Sequence, residues 1–387
     1  MRLAARAERI EPFRAMAFAE RAACLEADGI DVVRLSLGEP DFPVPERVSD
    51  ALRTELGRGR STYAPALGLP ALREAIAGWQ RDHLGASVSA ERVIVTAGAS
   101  AALLLLAAAL VEAGDEVLMT DPSYPCNRQF IELFGARART VPSAADERFQ
   151  FSRRTLDAGW SDATRGVMIA SPSNPTGTSI DFADLAALCD DIAARGGWRL
   201  IDEIYLPLSY DSVPRSILAH DDEALVVGSF SKYWAMPGWR LGWAIVPDAM
   251  VAPLERLAQH CYICAPAQAQ AAAVACFHPD TLAECERRRR LLAARRDRTL
   301  AGLSAAGITV PVTPDGAFYA YLDVRDTGLD SATLAGRLLD EAHVALTPGE
   351  DFGSHDGRHF LRLSYAASDE RLDLAVQRLQ AWLAARP

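Results

Sequence analysis

One stretch of the chain gathers residue types that suit the chemistry of carbonyl and phosphate groups. Lys232 is preceded by Ser229 and Ser231 and is followed by Arg240. The apolar run 224–227 predicts a buried strand, and limited access to water at its end lowers the pKa of the lysine amine and makes it nucleophilic toward a carbonyl. Hydroxyl and guanidinium groups bind phosphate. A Ser-Lys pair alone is typical of a surface turn, whereas the whole stretch suggests a lysine bound to a phosphorylated aldehyde.

The sequence around this stretch follows a repeated strand–helix pattern. Short apolar runs predict strands at residues 93–96, 116–120, 137–141, 166–170, 198–202, 224–228 and 242–246. Helical sequences fill several of the gaps, notably 99–112 and 182–195. Strands that alternate with helices indicate an α/β fold with a mostly parallel, seven-stranded sheet covered on both faces. Ligands of such sheets bind beyond the carboxyl ends of the strands.

Several polar residues follow these predicted strand ends. Ala99 and Ser100 begin a helix, whose free amides favour a phosphate, although Ser100 can also act as an N-cap. Asp202 closes an apolar strand, which is costly unless a cation pairs with it. Tyr205 lies three residues further on, near the same strand end. Tyr124 is held between two prolines and can stack on an aromatic ring.

A further arginine lies near the carboxyl end of the chain, in the predicted strand 360–364. Alternation along a strand places Arg362 on the face opposite Leu361 and Leu363. Taken alone, this pattern predicts an arginine that faces solvent. A guanidinium group also matches a carboxylate in a bidentate fashion, so a substrate contact is the alternative.

The motif Ser-x-Ser-Lys-x-x-x-Met-Pro-Gly-Trp-Arg-Leu-Gly at residues 229–242 resembles the cofactor-lysine motif of fold type I pyridoxal-phosphate enzymes, the class I/II aminotransferases of the aspartate aminotransferase superfamily. Other matching segments follow in the family's order, at residues 38–42, 63–73, 174–177, 202–205 and 362–364. The resemblance extends from residue 36 to the carboxyl-terminal region. It implies a pyridoxal-phosphate-dependent aminotransferase that moves the amino group of an L-amino acid to a 2-oxo acid by a ping-pong mechanism.

The resemblance also implies a role for each matching residue. Lys232 holds pyridoxal 5′-phosphate as a Schiff base and transfers protons, and Asp202 and Tyr205 contact the cofactor ring. The implied cofactor contacts are Tyr63, Ala99, Ser100, Tyr124, Asn174, Asp202, Tyr205, Ser229, Ser231, Lys232 and Arg240. The implied contacts of the substrate carboxylate are Gly38, Asn174 and Arg362. Tyr63 reaches the cofactor phosphate of the other subunit, so a homodimer with shared active sites is expected.

The length of 387 residues predicts two domains. We expect a large pyridoxal-phosphate-binding domain at 46–290. The segments 1–45 and 291–387 together form a smaller α+β domain, with strands at 310–324 and 360–364. A long charged helix near 281–302 is expected to bridge the two domains.

The composition limits the class of protein. The net charge of −11 argues against a nucleic-acid partner. Seven cysteines without a regular spacing suggest reduced thiols in the cytoplasm, and Cys261-x-x-Cys264 lacks the second pair expected of a metal site. The start of the chain lacks the apolar core of a signal peptide, and the longest apolar run, 101–111, is too short to span a membrane.

Two other functions share these features. A lyase, decarboxylase or cyclase on the same fold would use the same Lys232, Asp202 and Arg362. An aminotransferase-like sensor fused to a DNA-binding module is the second alternative, but the acidic charge and the early start of the resemblance both argue against it.

The donor is expected to be neutral. Some relatives that act on dicarboxylates have a lysine where this chain has Ser100, which disfavours aspartate as the main donor, although other groups could still accept glutamate. We expect Tyr124, Tyr262, Ile263 and Phe318 to line the pocket for the donor side chain.

Overall fold

The computed structural model describes residues 2–10, 14–59 and 62–385. Its strands, in chain order, are β1 (Val33–Arg34), β2 (Val93–Thr96), β3 (Glu116–Asp121), β4 (Arg137–Pro142), β5 (Thr164–Ala170), β6 (Trp198–Asp202), β7 (Leu225–Ser229), β8 (Gly242–Ile245), β9 (Tyr319–Asp323), β10 (Val344–Ala345), β11 (Thr347–Pro348) and β12 (Phe360–Ser364). Residues 1, 11–13, 386 and 387 of the predicted small-domain segments lie outside the described residues.

The α-helices of the described chain alternate with strands over its middle part. In order, they are α1 (Ala5–Arg9), α2 (Arg14–Ala27), α3 (Glu46–Gly57), α4 (Pro70–Leu84), α5 (Ala99–Leu110), α6 (Pro125–Glu132), α7 (Arg153–Gly159), α8 (Phe182–Ala194), α9 (Asp248–Cys261), α10 (Ala267–Ala273), α11 (Pro279–Ala305), α12 (Ser331–Glu341) and α13 (Asp369–Ala384).

Strands β2 to β8 form one seven-stranded sheet in the order β2-β8-β7-β6-β5-β3-β4. Strand β8 is antiparallel to both of its neighbours, and the other pairs are parallel. Each of these seven strands begins and ends within two residues of its predicted bounds. The predicted α/β fold with a mostly parallel sheet is therefore confirmed.

Helices cover both faces of this sheet, which explains why its strands are continuous apolar runs. Successive residues of β6 point to opposite faces, since Leu200 and Ile201 belong to separate buried clusters. Leu106 of α5 packs on one face and Ile192 of α8 packs on the other. Burial on both sides fixes the register of the strands and hence the place where each strand ends.

The remaining strands form two small sheets. Strands β11, β12 and β9 are antiparallel in that order, and β1 pairs in parallel with β10. The prediction of a strand over 310–324 was wrong for its first part, because only Tyr319–Asp323 forms a strand. Pro311 and Pro314 lack the N–H group that a strand needs for its hydrogen bonds.

The long charged helix predicted near 281–302 is α11, which runs from Pro279 to Ala305. It crosses residue 290 without a break, so the predicted domain boundary falls inside a continuous helix. The division into 46–290 and two flanking segments stays a prediction. In the described parts of the chain, no helix is both long and apolar enough to cross a membrane.

Candidate active site

The carboxyl ends of several strands meet at one edge of the seven-stranded sheet, and most predicted site residues lie there. Asp202 is the last residue of β6 and lies beside Ala170, the last residue of β5. Because β8 is antiparallel to its neighbours, its first residue, Gly242, lies at the same edge, between Thr96 of β2 and Ser229 of β7. The fold thus brings together residues that lie far apart in sequence.

Lys232 lies three residues beyond β7 and is the only lysine of the chain. Its Nζ donates a 2.6 Å hydrogen bond to the carbonyl oxygen of Gly38. Burial, followed by the positive charges of Arg362 and Arg240, lowers the pKa of the amine to about 8. A larger share of this amine is therefore neutral near pH 7 than in an exposed lysine, as its predicted chemistry requires.

Asp202 is buried, with 5% of its surface exposed. Its Oδ1 accepts a 3.1 Å hydrogen bond from the N–H group of Ile204. Burial raises the pKa of this carboxyl to about 6, against the opposing effects of that hydrogen bond and the charge of Lys232. No arginine, lysine or histidine of the described residues forms an ion pair with it. The carboxyl is therefore available to a cation that the chain itself does not provide.

Tyr205 contacts a residue that the sequence analysis did not include in the site. Its hydroxyl oxygen lies 2.7 Å from that of Tyr319, the first residue of β9, and both side chains are buried. A Cβ atom added at Gly38 would lie 2.5 Å from the same Tyr319 hydroxyl. Tyr319 projects from the same face as Arg362, but this relation depends on the pairing of β9 with β12, which no sequence pattern revealed.

The residues predicted to hold a phosphate surround the amino end of α5. The hydroxyl oxygen of Ser229 accepts a 3.0 Å hydrogen bond from the N–H group of Ser231, and both serines are buried. Gly98 has a φ of +91°, and a Cβ there would lie 2.6 Å from Nη2 of Arg240. A Cβ at Gly242 would lie 2.6 Å from the backbone nitrogen of Ala99. Two glycines therefore leave room for a guanidinium group and free amides to face one anion.

Ser100 occupies the second position of α5, directly after Ala99. The helix shows no side-chain cap hydrogen bond, and its N-cap residue is Gly98. The alternative in which Ser100 caps the helix is therefore wrong, because the N-cap residue is Gly98, two residues earlier than that alternative requires.

Arg362 is buried, with 4% of its surface exposed, so the alternative of an arginine that faces solvent is wrong. Its Nη1 donates to Oδ1 of Asn174 at 2.9 Å, and its Nη2 donates to the carbonyl oxygen of Ser36 at 2.6 Å. The guanidinium lies between the rings of Tyr319, at 4.6 Å, and Phe352, at 4.8 Å. Both faces of β12 are buried, which the alternation of polar and apolar residues could not reveal.

One atom of this arginine has no partner. Nε of Arg362 is buried without a hydrogen bond, so the guanidinium retains a donor without a partner among the described residues. A buried donor without a partner costs on the order of 1–3 kcal/mol, and a bound carboxylate would remove that cost. Gly38, the third predicted carboxylate contact, lies in the same segment as Ser36.

Two predicted pocket residues lie near the edge of the sheet. Tyr124 precedes α6, and burial, followed by the neighbouring Cys126 thiol, raises the pKa of its phenol. Phe318 packs edge-on against the ring of Tyr205 at 5.6 Å, and its ring centre lies 6.0 Å from Nζ of Lys232.

The other two predicted pocket residues follow helix α9. The hydroxyl of Tyr262 is buried without a hydrogen-bond partner, and Ile263 is 48% exposed. Neither has a hydrogen bond or ring contact with Lys232, so the structure does not connect them directly to the site.

Tyr63 lies on the surface, with 80% of its area exposed. Within the described parts of a single chain, it forms no hydrogen bond or ring contact with the other predicted site residues. Among the described residues of a single chain, Tyr63 is thus a predicted cofactor contact that lies apart from the site at the edge of the sheet.

Comparison with known proteins decides the family. The sequence model of Aminotransferase class I and II matches residues 30–379. The chain belongs to this family. This aminotransferase family depends on pyridoxal phosphate, and the chain is accordingly an enzyme that transfers an amino group to a 2-oxo acid.

Relatives with assigned activities support the same conclusion. The aminotransferase is 39% identical over 356 residues to the valine–pyruvate aminotransferase of Mycobacterium tuberculosis, with 91% of each chain covered. It is 34% identical to the arginine–pyruvate transaminase of Pseudomonas aeruginosa, with 93% of this chain and 92% of the relative covered. The crystal structure of an aminotransferase from M. tuberculosis matches all of both chains with a TM-score of 0.95 at 38% identity. The lyase and sensor alternatives are not favoured.

Proposed function

We propose that this aminotransferase binds pyridoxal 5′-phosphate through Lys232 at the carboxyl edge of the seven-stranded sheet and accepts a neutral L-amino acid as donor. The neighbourhood of the chain's single lysine carries the proposal. The amine of Lys232 has a lowered pKa, and it lies in the same site as the unpaired carboxyl of Asp202 and the guanidinium of Arg362.

Three features of the site fit three parts of the cofactor. The amine of Lys232 suits an aldehyde, because its pKa is lowered to about 8. Asp202 is buried without an ion pair and suits a protonated ring nitrogen. The amino end of α5, with Ser229 and Arg240 beside it, suits a phosphate.

The chain's own groups then divide the work of the reaction. When bound, pyridoxal phosphate supplies a ring that accepts the electrons left when the bond between the substrate α-carbon and its hydrogen breaks. Nζ of Lys232 would accept that proton, and its lowered pKa gives it a larger neutral share near pH 7 than an exposed lysine has. The ionised carboxylate of Asp202 would hold a proton on the ring nitrogen, and the hydroxyl of Tyr205 would donate to the ring oxygen.

Binding of the substrate carboxylate is assigned to Arg362 and Asn174, with the backbone of Gly38 beside them. Arg362 and Asn174 already form a 2.9 Å hydrogen bond, and Nε of the arginine is free to bind a carboxylate oxygen. Because two aromatic rings hold the guanidinium in place, little side-chain entropy is lost when a substrate binds. The substrate is thereby oriented with its α-carbon toward Lys232.

A neutral donor is supported by the sequence and by one relative. Ser100 stands where some relatives that act on dicarboxylates have a lysine, so no cation is offered there to a second carboxylate. Phe318 presents an apolar ring near Lys232. The valine–pyruvate aminotransferase of M. tuberculosis is named for an apolar donor, and it shares 39% of its aligned residues with this chain.

The assembly proposed is a homodimer in which Tyr63 of each chain reaches the cofactor phosphate in the site of the other. Its 80% exposure leaves the side chain free to do so. We place the enzyme in the cytoplasm because all seven cysteines are free thiols, which a reducing compartment preserves. The two-domain division at 46–290 belongs to the same proposal.

The test uses the fact that the chain has one lysine. Reduction of the purified enzyme with borohydride should attach the cofactor to Lys232, and the only other primary amine in this sequence is the α-amino group. Peptide mapping by mass spectrometry separates the two. Lys232→Arg is the matched control and should carry no adduct. An adduct elsewhere, or none in the wild type, would overturn the proposal.

The donor is tested separately with the same protein. Single amino acids are added to the cofactor-loaded enzyme without a 2-oxo acid, and the absorbance change of the cofactor reports the first half-reaction. Apolar amino acids should give faster changes than aspartate or glutamate. Equal or faster changes with the acidic amino acids would contradict the neutral donor and leave the role of Lys232 untouched.

A further inference from the structure

We propose that Tyr319 is a positioning residue that donates its hydroxyl proton to Tyr205 and so directs the Tyr205 hydroxyl toward the ring oxygen of the cofactor. This inference rests on the proposed function. It assigns a role to a residue that neither the motifs nor the expected cofactor contacts include. The observations behind it are the contacts that Tyr319 makes with three separate parts of the site.

The first contact is the pair of hydroxyl groups. The oxygens of Tyr205 and Tyr319 are 2.7 Å apart, and either can be the donor. Burial raises the pKa of both phenols, so both keep their protons at neutral pH. Each group has one proton to donate, and the shared hydrogen bond uses only one of the two. The group that donates here decides which tyrosine has a proton left for a third partner.

The second contact fixes the ring of Tyr319. Strands β9 and β12 pair with Tyr321 opposite Arg362, so Tyr319 is the diagonal neighbour of Arg362 on the same face. The guanidinium of Arg362 lies 4.6 Å from the ring centre of Tyr319, a cation–π distance. The tyrosine hydroxyl is thus held by a ring that cannot turn away without disturbing the arginine.

The third contact is with Gly38. A Cβ at this position would come within 2.5 Å of the Tyr319 hydroxyl, closer than two such atoms can approach. The carbonyl of the same glycine accepts the hydrogen bond from Lys232. The Tyr319 hydroxyl therefore lies close to both the backbone of Gly38 and the hydroxyl of Tyr205.

The direction of the shared hydrogen bond follows from the proposed role of Tyr205. If Tyr319 donates, the Tyr205 proton is free for the ring oxygen, and Tyr205 becomes a stronger donor because it also accepts a hydrogen bond. If Tyr205 donates to Tyr319 instead, the Tyr205 proton is not available to the ring oxygen of the cofactor. The proposed role of Tyr205 therefore requires Tyr319 as the donor. Because Tyr205 accepts this hydrogen bond, it stabilises negative charge on the ring oxygen more strongly.

The test is Tyr319→Phe, which removes the hydroxyl and keeps the ring beside Arg362. The readout is the pH midpoint of the cofactor's absorbance change in the resting enzyme, without substrate. Weaker donation by Tyr205 favours the protonated form, so the midpoint should rise by about half a unit to one unit. Cofactor content should stay the same. An unchanged or lower midpoint would overturn the inference, since a residue that only packs would not move it.

Tyr321→Phe is the matched control. Tyr321 is also buried, lies two residues along the same strand and projects from the same face, but its hydroxyl has no hydrogen-bond partner. Its loss should leave the midpoint where it is in the wild type. An equal shift in Tyr321→Phe would show that any phenol lost from this strand has the effect, and the inference would fail.

A double-mutant cycle shows whether Tyr319 acts through Tyr205. Tyr205→Phe alone should raise the midpoint, and adding Tyr319→Phe should raise it no further. Additive shifts would mean that Tyr319 acts on the cofactor by another route and would refute a positioning role. If Tyr319→Phe does not fold, Gly38→Ala replaces it, because its methyl group displaces the Tyr319 hydroxyl and should raise the midpoint as well.

Failure of this inference is distinguishable from failure of the proposed function. If borohydride finds no adduct on Lys232, there is no cofactor titration at this site and both ideas are wrong. If the adduct forms and the midpoint does not move, only the role of Tyr319 is wrong.

Discussion

Nη1 of Arg362 donates a 2.9 Å hydrogen bond to Oδ1 of Asn174, and the two residues are 188 positions apart in the chain. The bond joins β12 of a small sheet to the turn that follows β5 of the large sheet. The guanidinium is buried and its Nε has no hydrogen-bond partner, which supports the proposal that this pair binds the substrate carboxylate.

The first prediction concerns this arginine. Arg362→Lys keeps the charge but loses the planar fork that binds a carboxylate, so kcat/KM should fall about 10- to 100-fold for every amino acid donor. Cofactor content should be retained, because the change lies on the substrate side of the site. The measurement is steady-state kinetics with several donors. Arg358→Lys, at an exposed arginine four residues earlier, is the control, and wild-type rates in Arg362→Lys would show that the carboxylate binds elsewhere.

The second prediction concerns Asp202. Asp202→Ala should leave the fold intact and lower kcat by about 10²- to 10³-fold, because the ring nitrogen loses its charged partner. Circular dichroism checks the fold, and single-turnover absorbance changes measure the chemical step. Asp326→Ala removes an exposed carboxylate and should have no effect. A near-normal single-turnover rate in Asp202→Ala would show that the nitrogen is not held as proposed.

The third prediction concerns Glu203, the buried neighbour of Asp202. Burial raises the pKa of Glu203 to about 7 from the ordinary 4.5. Between these values the folded protein keeps a proton that the unfolded chain has lost, so the free energy of unfolding decreases as pH rises from about 4.5 to about 7. Over that range this one group accounts for a loss of up to about 3 kcal/mol.

Glu203→Gln should remove this dependence on pH. The amide oxygen can still accept the 2.8 Å hydrogen bond from the N–H group of Ile217. Thermal unfolding of both proteins is measured at pH 5 and at pH 8. The stability of the variant minus that of the wild type should be larger at pH 8 than at pH 5. Glu223→Gln, at an exposed carboxylate, should show the same difference from the wild type at both. A Glu203→Gln difference that is likewise independent of pH would contradict the raised pKa.

The fourth prediction concerns the exposed Tyr63. If each site combines Lys232 of one chain with Tyr63 of another, Lys232→Ala and Tyr63→Phe are each impaired, but a dimer of the two has one intact site. Random mixing then restores about a quarter of the sites. Activity after mixed refolding is the measurement. Wild type mixed with the double variant is the control, because its hybrid dimers contain no intact site. No recovery in the first mixture would exclude sharing through Tyr63.

The sequence by itself determined the large sheet and the residues at its edge. Seven apolar runs appear as seven strands within two residues of their predicted bounds, because strands buried on both faces must be apolar throughout. The positions of Asp202 and Lys232 at strand ends follow from those runs, since the strand ends meet wherever such a sheet forms.

Only the tertiary structure decided what surrounds Arg362 and Tyr205. The alternation along β12 correctly separated Arg362 from Leu361 and Leu363, but it could not show that a distant turn and two aromatic rings bury the arginine face as well. Tyr319 was missed for the same reason, because its hydrogen bond to Tyr205 joins residues 114 positions apart. Local sequence fixes which way a side chain projects from its strand, whereas its partners depend on how the small sheet packs against the large one.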